Sequence, residues 1–391
     1  MTSDWEHGGF GLYVHWPFCQ AKCPYCDFNS HVAAQIDHYR WLDCYLSEIK
    51  RVSRETTGRT LTSIFFGGGT PSLMDPAVTE RIITAAKSAW SCANDIEVTL
   101  EANPTSAEAG RFHAFRDAGV NRVSVGLQAL RDDDLKRLGR LHSAEEGRKA
   151  YEMARRIFPR VSFDLIYARQ YQSLQDWQQE LREAVALAAD HLSLYQLTIE
   201  PGTAFGDRFA RGRLGGLVDD DAGADMYDAT QDICAAAGFP AYEVSNHARD
   251  MAQSRHNLIY WRGGDYVGIG PGAHGRITLG GIRYATETEL NPQAWLARVD
   301  ETGTGEILRS ALSPEEHAEE YAMMSLRLTE GMDRARFVSL RGEDFDPRTL
   351  DELETLGLIS VSGQRIIATT QGRRLLNGVL RALLTDKVSR D

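Results

Sequence analysis

Six short, mostly apolar, β-rich runs recur through the first half of the chain, at residues 10–16, 61–67, 96–101, 122–127, 161–167 and 191–197. Runs of this kind suit strands that are covered on both faces. A helical pattern follows each of them, at 35–54, 75–90, 106–118, 143–158, 174–188 and 219–237. The first is the clearest, because Ile36, Tyr39, Leu42, Leu46, Ile49 and Val52 recur at steps of three and four and form one apolar stripe. Ser106 and Ser143 read as N-caps, with Glu108, Glu145 and Glu146 where the helix dipole favours a negative charge. Strand-then-helix repeats imply an α/β fold, a parallel sheet curled into a barrel or part of one, with its chemistry at the C-terminal ends of the strands.

The unusual residues do gather at those ends. Cys19-Gln20-Ala21-Lys22-Cys23-Pro24-Tyr25-Cys26 follows the first run, and Gly67-Gly68-Gly69-Thr70-Pro71-Ser72 follows the second. Glu101-Ala102-Asn103-Pro104 ends the third, Gly126-Leu127-Gln128 ends the fourth, and Asp164 lies in the fifth. Soft thiolates suit an iron–sulfur cluster, and three of them would leave one iron of a [4Fe–4S] cube open. The same spacing also suits an incomplete zinc site or buried free thiols. Three glycines allow close approach of a ligand to backbone N–H groups, or they only make a tight strand-to-helix connection. Glu101 and Asp164 read either as partners of ribose hydroxyls, by analogy with dinucleotide sites, or as caps of the following helices.

Composition removes several classes. A net charge of −12 over 391 residues argues against a general nucleic-acid-binding surface. Six cysteines, three of them crowded together, are no secreted disulfide framework. No apolar run approaches the roughly 20 residues of a membrane helix, and Met-Thr-Ser-Asp-Trp-Glu lacks the regions of a signal peptide. The expectation is a cytoplasmic protein with reduced thiols and no transmembrane segment.

C-x3-C-x2-C after the first strand, with Tyr25 before the third cysteine and Gly-Gly-Gly-Thr-Pro after the second, resembles the radical S-adenosylmethionine superfamily. That resemblance implies a partial barrel of six strand–helix units, with a [4Fe–4S] cluster on Cys19, Cys23 and Cys26. S-adenosylmethionine would chelate the open iron, and its reductive cleavage would give methionine and a 5′-deoxyadenosyl radical. A low-potential electron donor such as a flavodoxin or ferredoxin is implied with them. Leu12 to Cys19, Phe66 to Pro71, Glu101 to Pro104, Gly126 to Gln128 and Asp164 to Tyr167 are similar to oxygen-independent coproporphyrinogen oxidase and its relatives. By that likeness Tyr13, Tyr25, Gly68, Gly69, Thr70, Glu101, Gln128, Arg140 and Asp164 match cofactor-holding positions. Glycines and Thr70 would face the methionine end and Glu101 the ribose. An exposed helix-end arginine is the ordinary alternative for Arg140.

Three features separate the branches of that family. Phe28 stands where the oxidase carries a fourth cysteine, which resembles the HemW branch of heme chaperones. Only eighteen residues precede Cys19, too few for the oxidase's long N-terminal arm. His256-Asn257-Leu258-Ile259-Tyr260-Trp261 is similar to the chaperone branch's H-N-x-x-Y-W segment. An imidazole beside two flat aromatics has the parts to hold heme. His256 is thus the expected heme ligand and His274 a second candidate, while a hydrogen-bonded core histidine is the plain alternative. The branch commonly has a cysteine where this chain has Ser254, and the run 167–172 lacks the family's proline and glycine.

The resemblance implies binding of heme and its transfer to an unidentified acceptor protein. An oxygen-independent coproporphyrinogen III dehydrogenase is the enzymatic alternative, and a non-redox metal-binding scaffold a second. Cys44, Cys92 and Cys234 lie in helical patterns and read as packing residues. The expected division is a radical S-adenosylmethionine core at 1–240, a barrel extension carrying the H-N-x-x-Y-W segment at 241–310, and a small winged-helix-like domain at 311–391. Ser313-Pro314 marks the last break, and a hairpin is expected at 359–367 before a final helix through Gly372 to Leu376.

Overall fold

Strand β1 (Phe10–Trp16) lies in the middle of the main sheet, not at its edge. A computed structural model describes residues 3–33 and 35–385. To one side of β1 run β2 (Thr60–Gly68), β3 (Ser91–Ala102), β4 (Arg122–Gln128), β5 (Arg160–Tyr167) and β6 (His191–Gln196), each parallel to the one before. Short β7 (Asn246–Ala248) closes the β6 edge antiparallel. On the other side β8 (Asp265–Ile269) pairs parallel with β1, so a seventh parallel strand joins the six expected. An antiparallel meander of β9 (His274–Leu279), β10 (Ile282–Thr288) and β11 (Glu306–Ala311) continues the sheet from there. Its two ends do not pair with each other, so the barrel is partial.

Helices α1 (His38–Glu55), α2 (Pro76–Ala89), α3 (Phe112–Asp117), α4 (Ala144–Ile157), α5 (Leu174–Leu187) and α6 (Asp220–Ala236) follow the six strands in turn. Phe10, Leu12, Val14 and Trp16 of β1 are fully buried. Trp16 packs edge-on against Trp41 of α1, and Trp41 stacks on Trp295 with ring centroids 5.4 Å apart. Burial of side chains this size contributes about 1.5–3 kcal/mol each. The alternate residues face the barrel interior, where Tyr13 stacks on Phe65. Period two thus divides β1 into a helix-facing apolar set and an inward set that serves the site.

Two local expectations change. The helix expected at 106–118 is broken into Ser106–Ala109 and α3, and the Thr105 hydroxyl accepts from the Glu108 N–H at the start of the first piece. Ser143 does cap α4, exchanging hydrogen bonds with Glu146. Cys92 lies in β3, not in a helix, whereas Cys44 and Cys234 are buried in α1 and α6.

Ser313 caps α8 (Pro314–Ser325), which opens a second apolar core. That core also takes α9 (Arg334–Arg341), α10 (Pro347–Thr355) and a three-stranded sheet of β12 (Met332–Asp333), β13 (Ile359–Ser362) and β14 (Arg365–Ala368), ordered β12-β14-β13. The hairpin expected at 359–367 is β13–β14. The final helix is interrupted at Leu375, after which α11 (Leu376–Leu384) begins. Arg336 joins the two cores, donating to the Asp4 carboxylate at 2.7 and 2.8 Å and to the Arg262 carbonyl at 2.6 Å. Among the described residues no helix is long and apolar enough to cross a membrane.

Candidate cofactor site at the barrel mouth

Cys19, Cys23 and Cys26 are free, half-buried thiols on the loop that leaves β1. The loop is fixed through Asn29, whose amide donates to the carbonyls of Pro271 at 2.9 Å and Leu290 at 2.8 Å. The Asn29 carbonyl accepts from His15 Nε2 at 2.9 Å, which leaves His15 Nδ1 to accept from the Tyr13 hydroxyl at 3.0 Å. Two donors point at sulfur: Thr70 Oγ1 lies 3.4 Å from Cys19 Sγ, and Arg140 Nη1 lies 3.5 Å from Cys23 Sγ. Burial raises the thiol pKa of Cys19 and of Cys26, and neighbouring cysteines add to it. Holding them as thiolates therefore calls for a positive partner. Among the described residues no three His, Cys, Asp or Glu side chains are gathered closely enough to hold one metal ion. A four-iron cube is a larger object, and half-buried thiols with sulfur-directed donors suit it.

The glycines are required by geometry. Gly68 has φ +108°, and a Cβ there would lie 2.6–2.8 Å from three atoms of the His15 ring. A Cβ on Gly69 would meet the Phe18 carbonyl oxygen at 2.7 Å. The Gly68 N–H donates to the Glu101 carboxylate, yet burial, and after it the charge of Asp164, push Glu101 up to about 8. Burial raises Asp164 to about 6 against the opposing pull of Arg140 and of the Gln128 amide, which donates to its carboxylate. Gln128 reaches it from a left-handed backbone, φ 65°.

Arg140 is no solvated helix-end residue. Its Nη2 donates to Asn103 Oδ1 at 2.7 Å and to the Gly126 carbonyl at 3.0 Å, and Asn103 Nδ2 in turn donates to Thr70 Oγ1 at 3.0 Å. Glycine loop, cysteine loop and the ends of β3 to β5 are thereby tied into one polar ring. Tyr25 packs against Phe205, whose N–H donates to the Pro24 carbonyl at 2.8 Å. Asn103, Asn29 and His15 are the linking residues that sequence reading missed. Only the Asn-Pro step hinted at the first, and nothing local marks the other two.

His256 sits apart from this ring. Helix α7 (Arg255–Trp261) crosses the opposite end of the barrel, where the Arg255 N–H donates to Glu97 Oε1 at 3.0 Å near the start of the apolar part of β3. His256 is 1% exposed and packs against both Phe65 and Tyr13, with Nδ1 2.7 Å from Ser63 Oγ and Nε2 2.7 Å from the Tyr260 hydroxyl. Burial lowers its pKa to about 3, so the ring is neutral. Both of its ring nitrogens are thus engaged in hydrogen bonds on the barrel floor, the arrangement of the plain alternative named for this residue. Ser254 caps α7 through its hydroxyl. His274, at the mouth side of β9, is exposed beside Glu287. The loop after β5 turns Arg169 inward onto Glu180 and Asp134, with Ala168 and Tyr171 at positive φ.

A sheet of this order, with three thiols after its first strand and glycines after its second, defines a radical S-adenosylmethionine protein. Residues 13–184 match the radical SAM superfamily, and 312–375 match the HemN C-terminal domain. In overall fold the chain is similar to coproporphyrinogen III oxidase HemN of Escherichia coli, with a TM-score of 0.81 and 22% identity over 96% of this chain and 90% of that one. It is 37% identical to heme chaperone HemW of Escherichia coli over 96% of this chain and 98% of that protein. HemW of Mycobacterium tuberculosis is 35% identical over 96% and 95%. Radical S-adenosyl methionine domain-containing protein 1, mitochondrial, of Bos taurus is 38% identical over 96% and 87%. The chain belongs to the HemW family.

Proposed function

We propose that this protein binds a [4Fe–4S] cluster, S-adenosylmethionine and heme, and passes the heme to an acceptor protein in the cytoplasm. The observation that carries the reading is the 37% identity, over nearly the full length of both chains, to a protein named heme chaperone HemW. Phe28 in the place of a fourth cysteine supports the chaperone branch over the oxidase.

When bound, the cluster supplies an electron to the sulfonium of S-adenosylmethionine. Cys19, Cys23 and Cys26 hold it, with Thr70 and Arg140 donating to two of the sulfurs. Backbone at Gly68 and Gly69 and the Thr70 hydroxyl take the methionine end. Glu101 takes the ribose, with Gln128 and Asp164 beside it. Tyr13 and Tyr25 flank the site, Tyr13 through the His15 ring and Tyr25 from within the cysteine loop. A flavodoxin or ferredoxin supplies the electron.

Anaerobic reconstitution with iron and sulfide analysis, followed by heme titration and transfer to apo-acceptors, tests the proposal. Cluster formation with stoichiometric heme binding and no protoporphyrinogen from coproporphyrinogen supports it. Vinyl groups and carbon dioxide released from propionates would establish the dehydrogenase instead, and a zinc-only protein would overturn both.

A further inference from the structure

The short helix Ala204–Ala210 follows β6 at the barrel mouth and is fastened to the cysteine loop. The Phe205 N–H donates to the carbonyl of Pro24, between Cys23 and Cys26, and Tyr25 packs against the Phe205 ring with centroids 6.4 Å apart. Arg208 stands over the same ring, 6.0 Å from its centroid. Past the helix the chain turns back at once, the Gly212 N–H donating to the Phe209 carbonyl at 2.9 Å and the Arg213 N–H to the Arg208 carbonyl at 2.8 Å. Arg211 and Arg213 are thereby kept at the helix end. From Ala204 to Gly216 three arginines stand against one carboxylate, Asp207.

Arg208, Arg211 and Arg213 are exposed, as is Lys22 on the cysteine loop, and none of the four is in an ion pair among the described residues. Other cations nearby are already matched, Arg137 by Asp134 and Lys136 by Asp133. Apolar surface adjoins the free ones. Phe209 is 56% exposed and Tyr171 69%, and the Tyr171 N–H donates to the Gly216 carbonyl at 2.6 Å, which sets Tyr171 next to the arginine turn. Exposed arginines with aromatic rings are the composition of protein interfaces. The sign of this rim is opposite to the chain's net charge of −12, so an acidic partner is repelled elsewhere and drawn here.

We infer that this rim is the docking surface for an acidic one-electron donor protein of the flavodoxin or ferredoxin kind, with its carboxylates on Lys22, Arg208, Arg211 and Arg213 and its contact face against Phe209 and Tyr171. The inference rests on the cluster-binding reading above and adds where the electron enters. Pro24 and Tyr25 lie between two of the three thiols and touch Phe205, so a donor seated on this helix is one layer of side chains from the cysteine loop. One electron leaves the donor's reduced centre and the cluster takes it up, with no bond formed or broken and no proton moved. Electron-transfer partners meet over small surfaces, and a few free cations with two aromatic rings are on that scale.

The test is titration of the cluster-loaded full chain with flavodoxin and with ferredoxin at low and high salt, together with stopped-flow reduction of the cluster by flavodoxin hydroquinone and by reduced methyl viologen. In wild type, association weakens as salt rises. Arg208→Glu combined with Arg211→Glu is expected to slow flavodoxin association about tenfold at low salt and to flatten its salt dependence, while methyl viologen, a small cation, reduces the cluster at least as fast as in wild type. Phe209→Ser weakens flavodoxin binding at both salt concentrations. Arg348→Glu combined with Arg381→Glu, the same change of charge at exposed positions of the C-terminal unit, leaves association within about twofold. No association of either donor with wild type, unchanged association in the mouth variants, or equal slowing in the C-terminal pair overturns the surface. Capture of single-stranded RNA in place of both donors also overturns it, assigning the arginines to nucleic acid. If iron and sulfide analysis finds no cluster, the proposed function falls, whereas the surface stands or falls on donor binding alone. Cluster content and thermal midpoint, matched to wild type, establish that a variant is folded.

Discussion

Glu101 stores free energy that a single substitution releases. Its carboxyl has an ordinary pKa of 4.5 and sits at about 8 in the folded chain, so at pH 7 folding forces it to take up a proton that the unfolded chain does not hold. Two and a half pH units at about 1.4 kcal/mol each give a cost of about 3 kcal/mol at pH 7. Glu101→Gln removes the ionisation and keeps an oxygen to accept from the Gly68 N–H. For a raised carboxyl the stability is fully present below pH 4.5 and lost as pH rises through 8. The variant should therefore match wild type at pH 4.5, exceed it by about 3 kcal/mol at pH 7, and gain no more well above pH 8. With an unfolding entropy of about 2 cal/mol/K per residue, the pH 7 difference is about 4 °C in thermal midpoint. The assay is thermal unfolding from pH 4.5 to 8.5 at one scan rate, without cluster or S-adenosylmethionine, together with equilibrium binding of S-adenosylmethionine to the loaded protein. Binding is expected to weaken while stability rises, as at a site where stability has been yielded to function. Equal midpoints across the whole pH range would refute the reasoning, and so would a less stable variant at pH 7.

Changing Cys19, Cys23 or Cys26 to Ala should abolish the cluster, whereas Cys44→Ala leaves it, as iron and sulfide analysis will read. Gly68→Ala should destabilise the fold by about 1–3 kcal/mol from its backbone conformation alone and displace His15, with loss of S-adenosylmethionine binding in a dialysis assay. Asp265, fully buried between Arg59 at 2.5 Å and Arg283 at 2.9 Å, should cost about 3–5 kcal/mol when changed to Ala, measured by urea unfolding.

Local order carried much of this molecule in plain sight. The six strands could be found because each is a short apolar run with a helix pattern behind it, and the mouth residues because they stand where those runs end. What hid was set by distant partners. Asp265–Ile269 reads as a fragment of a glycine-rich stretch, and only its pairing with β1, some 250 residues earlier, makes it a strand of the barrel. His256 beside Tyr260 and Trp261 has the same sequence pattern whether its nitrogens are free or bonded. Ser63, which takes one of them, is 193 residues away. Arg140 shows the reverse, since an apparently ordinary helix-end cation is drawn into the ring by Asn103 and Gly126. The expected helix at 106–118 is interrupted at Gly110-Arg111, between Ser106–Ala109 and α3, where glycine lowers helix preference.

The central place of β1 also fixes an order of events during synthesis. Its first neighbour, β2, is complete at residue 68, but its second, β8, ends at residue 269. At about 5–20 residues per second, the ribosome leaves one edge of β1 unpaired for roughly 13–50 s after residue 16 emerges. For most of that interval the three thiols hang from a strand paired on one side, and throughout it Asn29 lacks both Pro271 and Leu290 to anchor it. On the proposed reading, ordered assembly of a cluster on these thiols would wait until Pro271 and Leu290, more than 240 residues after Asn29, have been made.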